Sequence, residues 1–324
     1  MLLLRLTNRN GAYVEVLSYG ATLVSAVVPD RYGCLENVVL RYPSAQDYLA
    51  DDCYLGSTVG RFANRIAGAA FTLNGKTFFL DKNDGENSNH GGFAGFNKKD
   101  FSCKADKGCA IFSAHSAHGE GGFPGNLSVE VTYAFSDANE LRIAYRLTSD
   151  SDTVVNLTNH AYFNLCPRAK TILDHELMVN AENYLESNER FLPTGAILPV
   201  ARSAFDFSCY KRLGEMMRRK REPHIRGYNT YFAGKPAGKD GLRQLASLRE
   251  SASGRLLEVS ATAPGVLLYT GDYLHGAHQP FAGACLEAQG YPDAPNHPHF
   301  PSCALKANRE YRQEIRYRFG VAAD

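Results

Sequence analysis

Two short stretches of this chain place proton-transfer groups in unusual company. Cys285-Leu286-Glu287-Ala288-Gln289-Gly290-Tyr291-Pro292-Asp293-Ala294-Pro295-Asn296 delivers one carboxylate, Glu287, from an apolar run beginning at Phe281. It then breaks into a turn-rich segment with prolines at 292, 295, 298 and 301. A carboxylate at the end of a strand, beside a loop that cannot continue the sheet, is well placed for acid–base chemistry at a rim. The ordinary alternative is a solvated surface glutamate. What favours chemistry is the second stretch, Asn156-Leu157-Thr158-Asn159-His160-Ala161-Tyr162-Phe163-Asn164-Leu165, which sets a histidine among amides and aromatics as a complementary proton donor. Two further groups, Arg65 and His90, lie in loops rich in Asn and Gly.

A set of histidines, a glutamate and an arginine suits proton transfer on a neutral polyhydroxylated substrate. The catalyst must take a proton from one oxygen while giving one to another, so an ionised carboxylate and a protonated imidazole are both expected near neutral pH. Proximity is expected to raise the histidine's pKa and lower the carboxylate's. Other chemistries find less support. The close histidine pairs 115/118, 275/278 and 297/299 have no carboxylate or thiol at zinc-like spacing, so no metal is expected. No Gly-x-Ser-x-Gly elbow appears, and the glycine-rich segment 119–125 lacks a Lys-Ser/Thr ending.

Composition narrows the classes further. The 324 residues are 44% hydrophobic and 21% charged, which suits a globular protein with a large core. A formal net charge of +1 leaves no electrostatic surplus for a phosphate polymer or an anionic membrane. The opening Met1-Leu2-Leu3-Leu4-Arg5 is too short for a signal-peptide core, and no apolar run reaches bilayer length. The eight scattered cysteines therefore read as reduced thiols of a cytoplasmic protein. With 18 Tyr, 18 Phe and no Trp, stacking on a sugar would fall to tyrosine and phenylalanine.

The elements that must position these groups read as strands. Residues 13–28 form two strands or one bent strand around Gly20, and residues 44–49 a short helix capped by Ser44. Asn74-Gly75 between 71–73 and 76–80 predicts a two-residue hairpin turn, whose flanks would bring Arg65 and His90 together. Residues 129–135 and 141–147 alternate as a second hairpin with one wet face, residues 153–157 continue as a third strand, and 315–319 form another. Helix and strand compete over 242–250, and 211–221 is the other helix candidate. Without βαβ alternation or a linker, the expectation is one antiparallel all-β domain spanning 1–324.

With these residues assembled, the sequence resembles an aldose 1-epimerase of the galactose mutarotase family. The resemblance rests on Gly60-Arg61-Phe62-Ala63-Asn64-Arg65-Ile66, Asn89-His90-Gly91-Gly92, Asn156 to Leu165, Leu192-Pro193-Thr194-Gly195, Pro264-Gly265 with Tyr269-Thr270-Gly271-Asp272, and Cys285 to Asn296. These blocks keep the family's order from about residue 13 to 319. It implies a large antiparallel β-sandwich (supersandwich) and cofactor-independent interconversion of the α and β anomers of a free aldohexose such as galactose or glucose. It also implies a small-molecule sugar as partner, neither nucleic acid nor membrane, and a monomer or homodimer. By position Glu287 matches the general base, His160 the general acid and His90 a second histidine near the ring oxygen. Asn64, Arg65 and Tyr162 match positions lining the sugar site. Asn229 stands where the family has an aspartate that holds sugar hydroxyls, Leu267 where glutamine is frequent and Phe101 where tryptophan is common. These departures motivate a non-catalytic sugar-binding protein or sensor as the alternative. An epimerase for a phosphorylated sugar is disfavoured by the lack of clustered arginines.

Overall fold

The computed structural model describes residues 1–106, 108–220 and 226–322. Three antiparallel sheets dominate it. A nine-stranded sheet runs in the order 102–106, 109–116, 127–135, 140–149, 310–321, 255–261, 243–249, 176–179 and 211–212. A six-stranded sheet runs 162–163, 284–289, 265–269, 229–234, 181–187 and 193–199, and a four-stranded sheet is built from residues 3–37.

Period-two patterning explains the sandwich. In the hairpin Leu127–Phe135 and Glu140–Ser149, Val129 faces Leu147, Val131 faces Tyr145 and Tyr133 faces Ile143, all buried, while the intervening residues are half-buried or exposed. Ile315, Tyr317 and Phe319 extend that apolar face across the next strand. From the opposing six-stranded sheet, Val266, Leu268, Leu286, Ala288 and Phe232 enter the same core. Each such aliphatic or aromatic side chain removed from water contributes roughly 1.5–3 kcal/mol. Because successive side chains alternate, Leu267, Cys285, Glu287 and Gln289 are turned to the other face of that sheet. The site is built there.

Several expected elements are present. Residues 13–28 form two strands, Tyr13–Leu17 and Thr22–Pro29. Asn74 and Gly75 adopt positive φ (52° and 76°) between Ala70–Leu73 and Lys76–Phe79. Over 242–250 the strand prevails, since Arg243–Arg249 pairs with Arg255–Ala261 and packs Leu245 and Leu248 into the core.

Other expectations are corrected. Residues 153–157 do not continue as one strand. Thr153–Val154 pairs with Ala304–Leu305, Asn156 bridges to Phe62, and Thr158–Asn159 pairs with Thr58–Val59. Ser44 caps no helix with its side chain. The turn is a 3₁₀ helix, Gln46–Ala50, and the Ser44 backbone N–H donates to the Asp47 carboxylate at 2.9 Å. In 211–221, Lys211–Arg212 is a short strand and Leu213–Arg219 the helix, while residue 221 lies outside the described residues.

Irregular backbone near the site requires partners that a sheet does not provide. Buried amides supply them. Asn156 donates to the Ala63 carbonyl (3.0 Å) and accepts from the Gly290 N–H (2.7 Å), and Asn159 donates to the Gly56 carbonyl (2.8 Å). Gln313, on the nine-stranded sheet, donates to the carbonyls of Leu157 (2.9 Å) and Ala288 (3.1 Å), next to the segments that carry His160 and Glu287.

Gly91 is equally constrained. At φ +90° a Cβ would lie 2.2 Å from the Gly60 carbonyl oxygen. Gly91→Ala is expected to cost about 3 kcal/mol or more, because the clash is with backbone and the φ is left-handed. Urea unfolding checks this, and a midpoint equal to that of the parent would contradict it.

Candidate active site

A cavity of about 670 Å³ opens on the outer face of the six-stranded sheet. Its lining includes Asn64, Arg65, His90, His160, Tyr162, Asn229 and Glu287, all seven residues anticipated from the sequence. The hairpin does bring the first of these together. Arg65 pairs with Asn89, the His90 N–H donates to the Asn64 carbonyl (3.2 Å), and the Asn64 N–H donates to His90 Nδ1 (3.2 Å). With Nδ1 accepting, the neutral His90 ring carries its proton on Nε2. Both Asn64 and His90 hold positive φ (69° and 53°), conformations that suit Asn and His better than bulkier residues.

Glu287 does not stand at a strand end. Its strand runs from Ala284 to Gln289, and Glu287 sits within it, opposite Leu267 and 1% exposed. Among the described residues no hydrogen-bond donor reaches either carboxylate oxygen. The nearest titratable partner is His160, whose Nε2 lies 3.6 Å from Glu287 Oε1. On the other side of the ring, His160 Nδ1 is 3.5 Å from the Cys285 thiol. His90 meets His160 edge-on, with ring centroids 5.4 Å apart, and Tyr162 packs on its flank at 5.0 Å.

The electrostatics reverse one expectation. Burial pushes the Glu287 carboxyl up to about 8, against the pull of Arg65, and takes the His160 imidazole down to about 4. Burial, with the charges of His160 and Arg65 adding to it, also holds His90 well below its ordinary value. Mutual attraction at 3.6 Å does not outweigh the removal of both groups from water. The pair therefore holds one proton between about pH 4 and pH 8, and burial of both side chains favours the neutral tautomer, carboxylic acid with imidazole.

The remaining walls divide by chemistry. Arg65 donates from Nε to Asp84 at 2.7 Å, with its guanidinium 5.3 Å from the centre of the Phe191 ring. Tyr162 presents its ring, since its hydroxyl donates to the Cys53 carbonyl (2.9 Å). Asn229 begins its strand opposite Tyr269. Phe101 is elsewhere, packed edge-on against Phe96 in the core. Tyr54, Asp84, Phe191, Tyr269 and Tyr273 also line the cavity and were not anticipated. The Tyr54 ring packs tilted against His90, centroids 4.6 Å apart, from a residue at a positive φ of 58°. Asp84 sits in an ordinary-looking Asn-Asp-Gly turn, and Phe191 directly precedes the block at 192–195, the one signal that pointed near it.

Of the histidine pairs, 297 and 299 meet edge-on with ring centroids 5.8 Å apart, while 275 and 278 turn to different partners. His275 turns to Asp52 and Cys53, whereas His278 reaches the Arg41 carbonyl. His297 meets Asp293 at 3.4 Å, and His299 the Gly195 carbonyl at 2.9 Å. All eight cysteines are free thiols, and no helix among the described residues is long and apolar enough to cross a membrane.

Comparison with known proteins agrees with this architecture. The family model for aldose 1-epimerase matches residues 2–318. The chain is 40% identical over 318 residues to the galactose mutarotase of Bos taurus, covering 95% of this chain and 91% of that one. It is 34% identical over 328 residues to the aldose 1-epimerase of Escherichia coli K12, covering 98% and 94%. Among solved structures, a GalM/aldose epimerase homologue from C. elegans superposes with a TM-score of 0.93 at 28% identity, covering 99% of each chain. A galactose 1-epimerase from Lactobacillus acidophilus NCFM gives 0.86 at 29% identity, covering 98% and 94%. A family match along nearly the whole chain, relatives of 34–40% identity covered almost end to end and a shared fold lead to one conclusion: this chain belongs to the aldose 1-epimerase family of isomerases.

Proposed function

We propose that the protein interconverts the α and β anomers of a free aldohexose, galactose or glucose being the first candidates, by opening and reclosing the pyranose ring. The observation that carries this reading is a buried Glu287 carboxyl, with no hydrogen-bond donor among the described residues, 3.6 Å from His160 in a cavity of about 670 Å³. The anomeric hydroxyl and the ring oxygen are both bonded to C1, so one sugar can touch both side chains at once. Glu287 as carboxylate removes the proton from the C1 hydroxyl, and His160 as imidazolium protonates the ring oxygen. The C1–O5 bond breaks, the aldehyde rotates about C1–C2, and the reverse transfers close the ring on the other face.

Proton counting supports the assignment. Ring opening converts carboxylate and imidazolium into carboxylic acid and imidazole without changing the number of protons held by the pair. The product of that step is the tautomer that burial favours. A pocket that disfavours charge therefore stabilises the protonation state reached with the open-chain aldehyde, rather than the one that precedes it. His90, through Nε2–H, is positioned as a neutral donor beside His160. Asn64, Arg65 and Asn229 offer hydrogen bonds to sugar hydroxyls, and the tyrosine and phenylalanine rings of the wall take the place of indole.

Polarimetry on freshly dissolved α-galactose and α-glucose tests the reading directly. Acceleration above the buffer rate is expected with at least one of them. Saturable binding of both without acceleration would instead favour the sugar-binding protein suggested by Asn229 and Leu267. Asp84 provides a finer check, because it anchors Arg65 from the half-exposed rim. Asp84→Asn is expected to raise KM about tenfold, equivalent to about 1.4 kcal/mol for a weakened charged hydrogen bond, with a smaller change in kcat. An unchanged KM would show that Arg65 needs no such anchor.

A further inference from the structure

Three donors of different kinds, two adjacent in sequence and the third more than 200 residues away, converge on the wall of the cavity. The Cys53 thiol lies 3.6 Å from Asp52 Oδ1 and 3.9 Å from His275 Nδ1, and His275 Nε2 lies 3.2 Å from the Asp52 carboxylate. One ligand atom from each residue falls within 4.8 Å of the other two. A tetrahedral zinc ion with sulfur at about 2.3 Å and nitrogen or oxygen at about 2.0–2.2 Å separates its ligand atoms by about 3.4–3.6 Å. The thiol meets the imidazole through Nδ1 and the carboxylate meets it through Nε2, so turning the exposed Asp52 and His275 side chains would bring one atom of each to that spacing, from within the 4.8 Å they already share. We propose that Asp52, Cys53 and His275 form a binding site for a thiophilic divalent cation of the zinc class at the mouth of the sugar cavity.

The donor set selects the ion. A thiolate and an imidazole suit zinc or cobalt and are poor ligands for magnesium or calcium, which take oxygen. Cys53 is buried and fixed, with its N–H donating to Asp51 at 3.0 Å and its carbonyl accepting from Tyr162. Asp52 and His275 are exposed, so their side chains can turn onto a cation without disturbing the core. Three protein ligands leave a fourth position open to water or to a molecule in the cavity, because all three residues line it. The expected close spacing of metal ligands along the sequence is absent here, since the site is assembled from residues 52–53 and 275.

The site is tested by metal binding to the full reduced chain, independently of any turnover. Titration with Co²⁺ is expected to give one equivalent with thiolate-to-cobalt charge-transfer absorption, displaced by Zn²⁺ and not by excess Mg²⁺. Cys53→Ser should abolish that absorption. His275→Ala, at an exposed side chain, should weaken Zn²⁺ binding at least about tenfold in calorimetry. The proposal is overturned if the absorption persists in Cys53→Ser, which would place the ion on another of the eight cysteines. It is equally overturned if no absorption develops, or if His275→Ala binds Zn²⁺ as tightly as the parent.

Discussion

Glu287→Gln is expected to lower kcat by on the order of 10²–10⁴, with KM changed little, because it removes the proposed proton acceptor while keeping the shape of the side chain. The residual rate should fall as pH rises through about 4, since only the imidazolium of His160 would then remain to act. A variant within a factor of about three of the parent would remove Glu287 from the mechanism.

The same substitution should have a measurable effect on stability. The Glu287 carboxyl is raised from its ordinary 4.5 to about 8 in the folded protein. Its contribution is therefore fully present below pH 4.5 and is lost as pH rises through about 8. Relative to the parent, Glu287→Gln should gain about 1.4 kcal/mol for each pH unit between those limits, or about 4–5 kcal/mol by pH 8. His160 contributes with the opposite sign, its stability being lost as pH falls from 6.5 through about 4, but that dependence is shared by both proteins. Urea unfolding at pH 5 and pH 8 reads the difference. A pH-independent difference would show that the parent carboxyl ionises normally. A buried carboxylate that destabilises its own fold when ionised is the expected mark of a site selected for chemistry.

Much of this arrangement was legible in local sequence. Asn74-Gly75 dictates its turn through positive φ, and the turn brings residues 65 and 89–90 into register. Alternation in 127–149 specifies which face is buried. Glu287 and His160 were recognisable from their neighbours, but their relation was not. A contact across 127 positions depends on the pairing of Tyr162 with Cys285, and no local pattern encodes that register. The position of Glu287 within a strand was hidden because Ala288-Gln289 is weakly strand-forming, and Gly265–Tyr269 supplies the pairing. Asp84, Tyr54 and Phe191 carried no distinct signal, since each has an ordinary turn or loop setting. The direction of the ionisation shifts was missed for a related reason. Proximity can be guessed from sequence, whereas the degree of burial, which outweighs it here, is a property of the whole sandwich.

His160→Ala should produce the mirror image of the glutamate variant. The parent is expected to hold a level kcat/KM between about pH 4 and pH 8, where the pair carries one proton, and to decline outside that window. Below it a second proton leaves no base, and above it neither group can act as the acid. Without His160, kcat should drop by on the order of 10²–10⁴, and the remaining activity should depend on the Glu287 carboxylate alone. The acid limb near 4 should then disappear, and the residual rate should rise with pH through about 8 rather than fall. Polarimetric rates across pH 3.5–9.5, corrected for buffer catalysis, distinguish these shapes. If His160→Ala keeps the parent's level profile, the acid lies elsewhere, and His90 becomes the next group to replace. If it loses activity yet retains the acid limb, that limb belongs to a different carboxylate, and the shared proton is not the basis of the reaction.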